Sequence, residues 1–230
     1  MTYISYAFAL FASLILPIIV SLFLIVKKKQ YFKVILVGVI TFLICQVFTR
    51  IYILQVILPS QVWYILFTYQ YPILYVFLLS LSAGLFEEIG RYITMKYLLK
   101  SMTIKDAIVF GIGHGGIESI LLVGVSLLMI NPSTIPFQNF LMSGVERISA
   151  MILHCGFSVL VYQMLFRNKK YNLIYSIALH TLVNLVSVLL MMNNVNLWII
   201  EGALLVSAGF IIVYIRHQWR NEYETINLNS

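Results

Sequence analysis

Runs of about 20 apolar residues recur along this chain, and no other feature restricts its fold so sharply. Tyr3 to Val26, Val34 to Leu58 and Leu197 to Ile215 are each long enough, as helices rising about 1.5 Å per residue, to cross about 30 Å of hydrocarbon. Only 10% of the residues are charged and 61% are hydrophobic, whereas about a quarter of the residues in a soluble domain are charged. The expectation is an all-α polytopic transmembrane bundle, a single integral-membrane domain over residues 1–230. The lysines at 27–29 follow the first apolar run instead of preceding it, so that run reads as a retained anchor and not as a cleaved signal.

A net charge of +7 raises the question of nucleic acid, which the positions of the basic residues answer. They fall in Lys27 to Lys33, Lys96 to Lys105, Arg167 to Lys170, and Arg216 with Arg220. With seven spans these are alternate connections, the pattern of loops that face the cytoplasm. The spans lie near 3–26, 34–58, 70–99, 106–130, 140–166, 171–192 and 197–216, with the N-terminus outside and the C-terminus cytoplasmic. The opposite connections, "LPSQVWY" at 58–64, "NPSTIP" at 131–136 and "NNVN" at 193–196, have no Lys or Arg. Positive charge is therefore topology, with attraction to anionic lipid as a by-product, and no nucleic-acid partner is expected. Cys45 and Cys155 lie inside spans and read as packed, reduced thiols. The polar tail "NEYETINLNS" reads as frayed.

Once the loop charges are set aside, Arg50, Glu87, Glu88, Arg91, Glu118, Glu146, Arg147 and Glu201 remain inside spans, with His114, His154 and His180. Left unpaired, these charges would together cost about 20 kcal/mol. Helical spacing offers them partners. Glu87 and Glu88 precede Arg91 by four and three residues, so one guanidinium can serve both carboxylates on a single face. His114 and Glu118 stand four apart, as do His180 and Asn184, and Arg147 and His154 stand seven apart. Counted from the cytoplasmic helix ends, Glu88 and His114 lie about 12 Å deep, His180 about 14 Å, and Glu118, His154 and Asn184 about 18–20 Å. The third to sixth spans thus bring carboxylate and imidazole groups to one layer. Glu146, Arg147, Arg50 and Glu201 fall nearer the outer side and read as a structural ion-pair set. Bland roles compete with these: an intrahelical ion pair stapling the bundle, or a histidine bonded to a neighbouring carbonyl.

Several chemistries can be set aside. "GIGHGG" at 111–116 matches GxGxxG, but a dinucleotide site needs a preceding strand and a βαβ unit; here the glycines are expected to let this helix approach a neighbour, placing His114 against Glu88. Ser158 stands four after His154, yet no GxSG stretch supports a serine nucleophile. The only Asp is Asp106, at a helix start, which dismisses a paired-aspartate protease, and HExxH is absent. Adjacent glutamates, three histidines and an asparagine suit the activation of water, with or without a metal such as zinc.

EExxR at 87–91, "FGIGHGGIE" at 110–118, the "ER" and His of "GVERISAMILHCG", and "HTLVN" at 180–184 closely resemble the YhfC family of intramembrane metalloproteases. That family is placed with the CAAX prenyl proteases and bacteriocin-processing enzymes (CPBP), the PrsW proteases and the scaffold subunit of gamma-secretase. The resemblance covers a motif core over residues 72–190. It implies Glu87 and Glu88 as water-activating carboxylates, Arg91 as their orienting partner, and His114, His180 and Asn184 as ligands or oxyanion donors, with Glu118 and His154 as further members. CPBP proteins space the arginine as EExxxR, so the detailed roles follow the YhfC proteins. The expected activity is endopeptidase cleavage of a membrane-embedded or lipidated peptide in a bacterial cytoplasmic membrane. The catalytic set is Glu87, Glu88, Arg91, His114, Glu118 and Asn184, and the metal set His114, His154 and His180 around a divalent ion, zinc foremost. The rival readings are a non-catalytic scaffold or immunity protein that binds a partner's transmembrane helix, and an ion-coupled transporter, which would need a repeat or broken helix the sequence lacks.

Overall fold

A computed structural model describes residues 1–228, and all regular structure among them is helical. Seven helices are long and apolar enough to span a membrane. In chain order the elements are α1 (Thr2–Lys27), α2 (Tyr31–Ser60), the short α3 (Val62–Gln70), α4 (Pro72–Leu98), α5 (Ile104–Leu128), α6 (Phe137–Phe166), α7 (Asn172–Met192) and α8 (Leu197–Leu228). The spans match the expected ones within a few residues at most ends.

Two expectations need correction. Residues 58–64 are not a simple loop leading into a span from 70: Val62–Gln70 forms its own aromatic-rich helix of about two and a half turns. Pro72, which lacks a backbone N–H, then restarts the chain as the first residue of α4. The tail is not frayed at its start either, since α8 runs on to Leu228. Glu222 ties it down, accepting from Tyr162 Oη at 2.9 Å and from the Ile104 N–H at 3.4 Å, and pairing with Arg167 at 3.0 Å. A sequence reading misses this because the partners lie 55 or more positions away.

α6 is the axis of the bundle. In its apolar window 72% of the residues are buried, against 17% in α7 and α8 and 22% in α1, so the latter present most of their surface to lipid. α6 touches α1, α4, α5, α7 and α8. Its approach to α5 depends on Gly111, where a Cβ would sit 2.5 Å from the Cα of Cys155; any side chain there would force the helices apart. This is the close approach the glycine-rich stretch predicted. α5 begins at a capping box: Thr103 Oγ1 accepts from the Asp106 N–H while the Asp106 carboxylate accepts from the Thr103 N–H. Both cysteines are free, as expected.

α2 carries a further irregularity. Leu43–Ile51 and Ile53–Ile57 are wound as π-helix, with hydrogen bonds to the fifth residue instead of the fourth. Such widened turns gather at functional sites, and this one holds Gln46 and Arg50 against α4.

Candidate active site

Glu87 and Glu88 are neighbours on α4, so their side chains leave the helix about 100° apart. The bundle gives each a different environment. Glu88 is fully enclosed. Arg91, one turn on, lies with its Nη1 3.1 Å from both carboxylate oxygens; Ser176 Oγ donates at 2.6 Å and His180 Nδ1 at 2.9 Å. Glu87 faces a different set. His114 Nε2 stands 3.0 Å from one of its oxygens, and Gln46 Nε2 donates to the other. His154 Nδ1 lies 3.8 Å away and His180 Nε2 3.7 Å. Glu87 also forms part of the wall of a cavity of about 560 Å³, together with Glu118, His154, His180 and Asn184.

The hydrogen bonds assign several protons. A guanidinium can only donate, so Arg91 Nη2, 3.1 Å from His154 Nδ1, requires a lone pair on that nitrogen. An ionised Glu88 can only accept, so His180 carries a proton on Nδ1 and turns its Nε2 edge toward Glu87. This is the carboxylate–imidazole arrangement that fixes the tautomer of metal-ligating and catalytic histidines. Phe157 stacks on the His180 ring at 5.0 Å between centroids and holds its plane.

Behind these groups runs a second tier. Arg147 Nη1 donates to Glu118 at 3.2 Å and its other nitrogens pair with Glu146. Glu118 Oε2 lies 2.7 Å from His154 Nε2 but has no aligned hydrogen-bond donor. Arg50 donates to Gln46 at 3.0 Å, to Ser82 at 2.9 Å and to the Leu79 carbonyl at 2.8 Å. Because Arg50 fixes the Gln46 oxygen as an acceptor, the Gln46 amide must point its NH2 at Glu87.

The structure therefore gathers Glu87, Glu88, Arg91, His114, Glu118, His154 and His180 into one contiguous cluster, with Asn184 in the cavity wall beside it. Three expected details change. Arg91 serves Glu88 and His154, not both carboxylates, because adjacent residues on a helix cannot share one face. His114 meets Glu87, not Glu88. Arg147 pairs with Glu146 as expected, but neither it nor Arg50 is separate from the cluster: Arg147 reaches it through Glu118, and Arg50 through Gln46. Ser158, set aside as a nucleophile, donates to the His154 carbonyl at 2.8 Å. Gln46 and Ser176 were missed by the sequence reading. Gln46 was legible in principle, as an amide in the middle of an apolar run; Ser176 was not, since a lone serine can bond its own helix.

A model of the YhfC family, described as YhfC intramembrane metalloprotease, matches residues 12–134 and 128–204. The chain belongs to the YhfC family. Every member of the cluster lies within the matched residues. The chain is also 32% identical over 200 residues to the uncharacterized membrane protein YhfC of Bacillus subtilis (strain 168), covering 70% of this chain and 76% of that one. No solved structure matches.

Whether this YhfC chain could hold a metal is decided by its donors. Glu87, His114, Glu118 and His154 each offer one ligand atom, all within 4.8 Å of one another. Two nitrogens and two oxygens are a donor set that zinc accepts. His114 Nδ1 and Glu118 Oε2 are buried without a hydrogen-bond partner. Charge does not oppose a metal: with Glu201, which has no ion-pair partner among the described residues, set aside, four buried or half-buried carboxylates (Glu87, Glu88, Glu118, Glu146) face three guanidiniums (Arg50, Arg91, Arg147), and with neutral imidazoles the layer keeps an excess of negative charge that a cation would offset. The residues fit. His180, expected among the ligands, stands outside the four but directs its Nε2 toward Glu87 from 3.7 Å. His154 could ligate through Nε2 only if Arg91 released its Nδ1.

Proposed function

We propose that this protein is an intramembrane endopeptidase that hydrolyses a membrane-embedded or lipidated peptide, with Glu87 as the proton acceptor for the attacking water. It is a single integral-membrane domain in a bacterial cytoplasmic membrane, with the N-terminus outside, the C-terminus cytoplasmic, and kinship to the CPBP proteases. One observation carries the reading: a buried carboxylate lines a cavity large enough for a peptide segment and has three imidazoles within 3.8 Å. A purely structural ion pair would be closed off, as Glu88 is.

In this mechanism Gln46 and His114 hold the Glu87 carboxylate in one orientation. Water beside Glu87 adds to the scissile carbonyl carbon as its proton passes to Glu87; the C–N bond then breaks as the leaving amine takes that proton. His180, fixed by Glu88 and Phe157, offers its Nε2 to the same water. Asn184, on the cavity wall, is the side-chain amide available to donate to the developing oxyanion. Bound by Glu87, His114, Glu118 and His154, a zinc or similar ion would supply Lewis acidity and a lower pKa for the water.

The test is cleavage of a panel of transmembrane peptides by purified protein in liposomes, with products read by mass spectrometry. Cleavage by the parent, absent in Glu87→Gln and His154→Ala, is expected. Equal cleavage by the variants would overturn the proposal. Stable retention of a partner helix with no cleavage by the parent would instead make the cavity a scaffold's binding site.

A further inference from the structure

Away from the cluster, where α1 ends and α5 begins, a groove of about 350 Å³ lies between α1, α5 and α8. Leu24, Ile108, Val109 and Ile112 form its floor, Trp219 one side, and Lys27, Lys28 and Lys105 part of its rim. Lys105 Nζ sits 4.9 Å from the centre of the Trp219 ring and Lys28 Nζ 5.3 Å from that of Tyr31. Among the described residues none of the three lysines has a carboxylate within ion-pair distance, whereas Arg167 is engaged by Glu222 and Arg220 by Glu224. The acid nearest in sequence, Asp106, is already occupied: its Oδ2 accepts from the Thr103 N–H at 2.8 Å and hydroxyl at 2.7 Å. The result is an aliphatic slot with three uncompensated positive charges at one end, against a tryptophan, at the level where a span leaves the hydrocarbon.

We propose that this groove binds an anionic phospholipid, with the headgroup phosphate among Lys27, Lys28 and Lys105 and an acyl chain along Leu24, Ile108, Val109 and Ile112. The charge at the rim selects an anion, and the aliphatic floor selects one that carries a hydrocarbon chain; an acidic peptide satisfies only the first. A second groove is also lined by Trp219, with Arg216 and Arg220, but Arg220 already pairs with Glu224, so it offers less free charge. The proposal does not rest on proteolysis.

Trp219 is the reporter. In the full chain with Trp63→Phe and Trp198→Phe, its fluorescence is followed in liposomes containing brominated phosphatidylglycerol or brominated phosphatidylcholine. Each lysine near an anionic lipid is worth about fivefold in binding, so with three lysines quenching by the phosphatidylglycerol is expected at a mole fraction about a hundredfold lower. Lys27→Gln/Lys28→Gln/Lys105→Gln should abolish that preference, while Lys96→Gln/Lys100→Gln/Lys170→Gln, which removes equal charge elsewhere, should keep it. Circular dichroism checks that both variants are folded. Equal quenching by the two lipids in the parent, a preference that survives the first triple variant, or an equal loss in the second would overturn the proposal. So would a shift of Trp219 emission by soluble polyglutamate with no lipid preference, which would mark the groove as a peptide site.

Discussion

Glu87 and Glu88 are the same residue at consecutive positions, yet their surroundings differ in kind. Around Glu88 every acceptor site is filled, by Arg91, Ser176 and His180, and it is not among the residues lining the cavity. Around Glu87 two donors hold the carboxylate, while further imidazoles stand at 3.7 and 3.8 Å, beyond direct bonding, beside open space. The lesson is that a membrane interior separates the stabilising from the reactive carboxylate by saturation. One is neutralised and sealed; the other is left with capacity for water or a cation. Residue type alone could not distinguish them.

The contrast is sharpest in activity. Glu87→Gln keeps the shape, with its amide oxygen accepting from Gln46 and its NH2 donating to the other tautomer of His114, but removes the proton acceptor, so a fall of about a thousandfold in cleavage is expected, with thermal unfolding little changed. If Glu87→Gln cleaves like the parent, the reactive role belongs elsewhere. Glu88→Ala should break the other way, leaving Arg91 buried without its counter-charge at a cost of about 3–5 kcal/mol. That would appear as a clear drop in the detergent unfolding temperature; an unchanged midpoint would remove the distinction drawn here. Between these extremes stands Gln46→Leu, which frees one oxygen of Glu87 and leaves Arg50 its Ser82 and Leu79 partners. Support of this kind is worth about 10–100-fold in metal affinity, measurable by zinc competition with a chromogenic chelator, and Gln46→Glu should not restore it. The smallest effect is expected from Ser176→Ala, about 1 kcal/mol, because Glu88 keeps its other two partners.

Much of this was legible in the sequence. The spans follow from length and hydropathy, and the convergence of Glu88, His114 and His180 from counting depth along helices. What resisted was direction. The reading that Arg91 bridges both glutamates used spacing along the axis but ignored rotation about it, and so paired His114 with the wrong carboxylate. Arg147 and Arg50 were set apart because depth was counted at Cα atoms, while an arginine side chain reaches several ångströms toward the layer of Glu118 and Gln46. Gln46 was overlooked because only formal charges were tallied, although an amide buried in hydrocarbon also needs partners. The π-wound stretch that turns it toward α4 has no sequence signature of its own. α3 was hidden because its aromatic run reads equally as an interfacial loop, until Pro72 is taken as the start of a new helix.

The Glu222 contacts carry a mechanical consequence. They moor the far end of α8 to α5 and α6, whereas its opposite end, from Leu197 to Leu204, borders the cavity beside α7. The cavity end of α8 is held as well, by Leu204 against Leu153, Phe157 and Leu160 of α6, so the helix acts as one strut between the mooring and the cavity, with buried Glu201 on its cavity side.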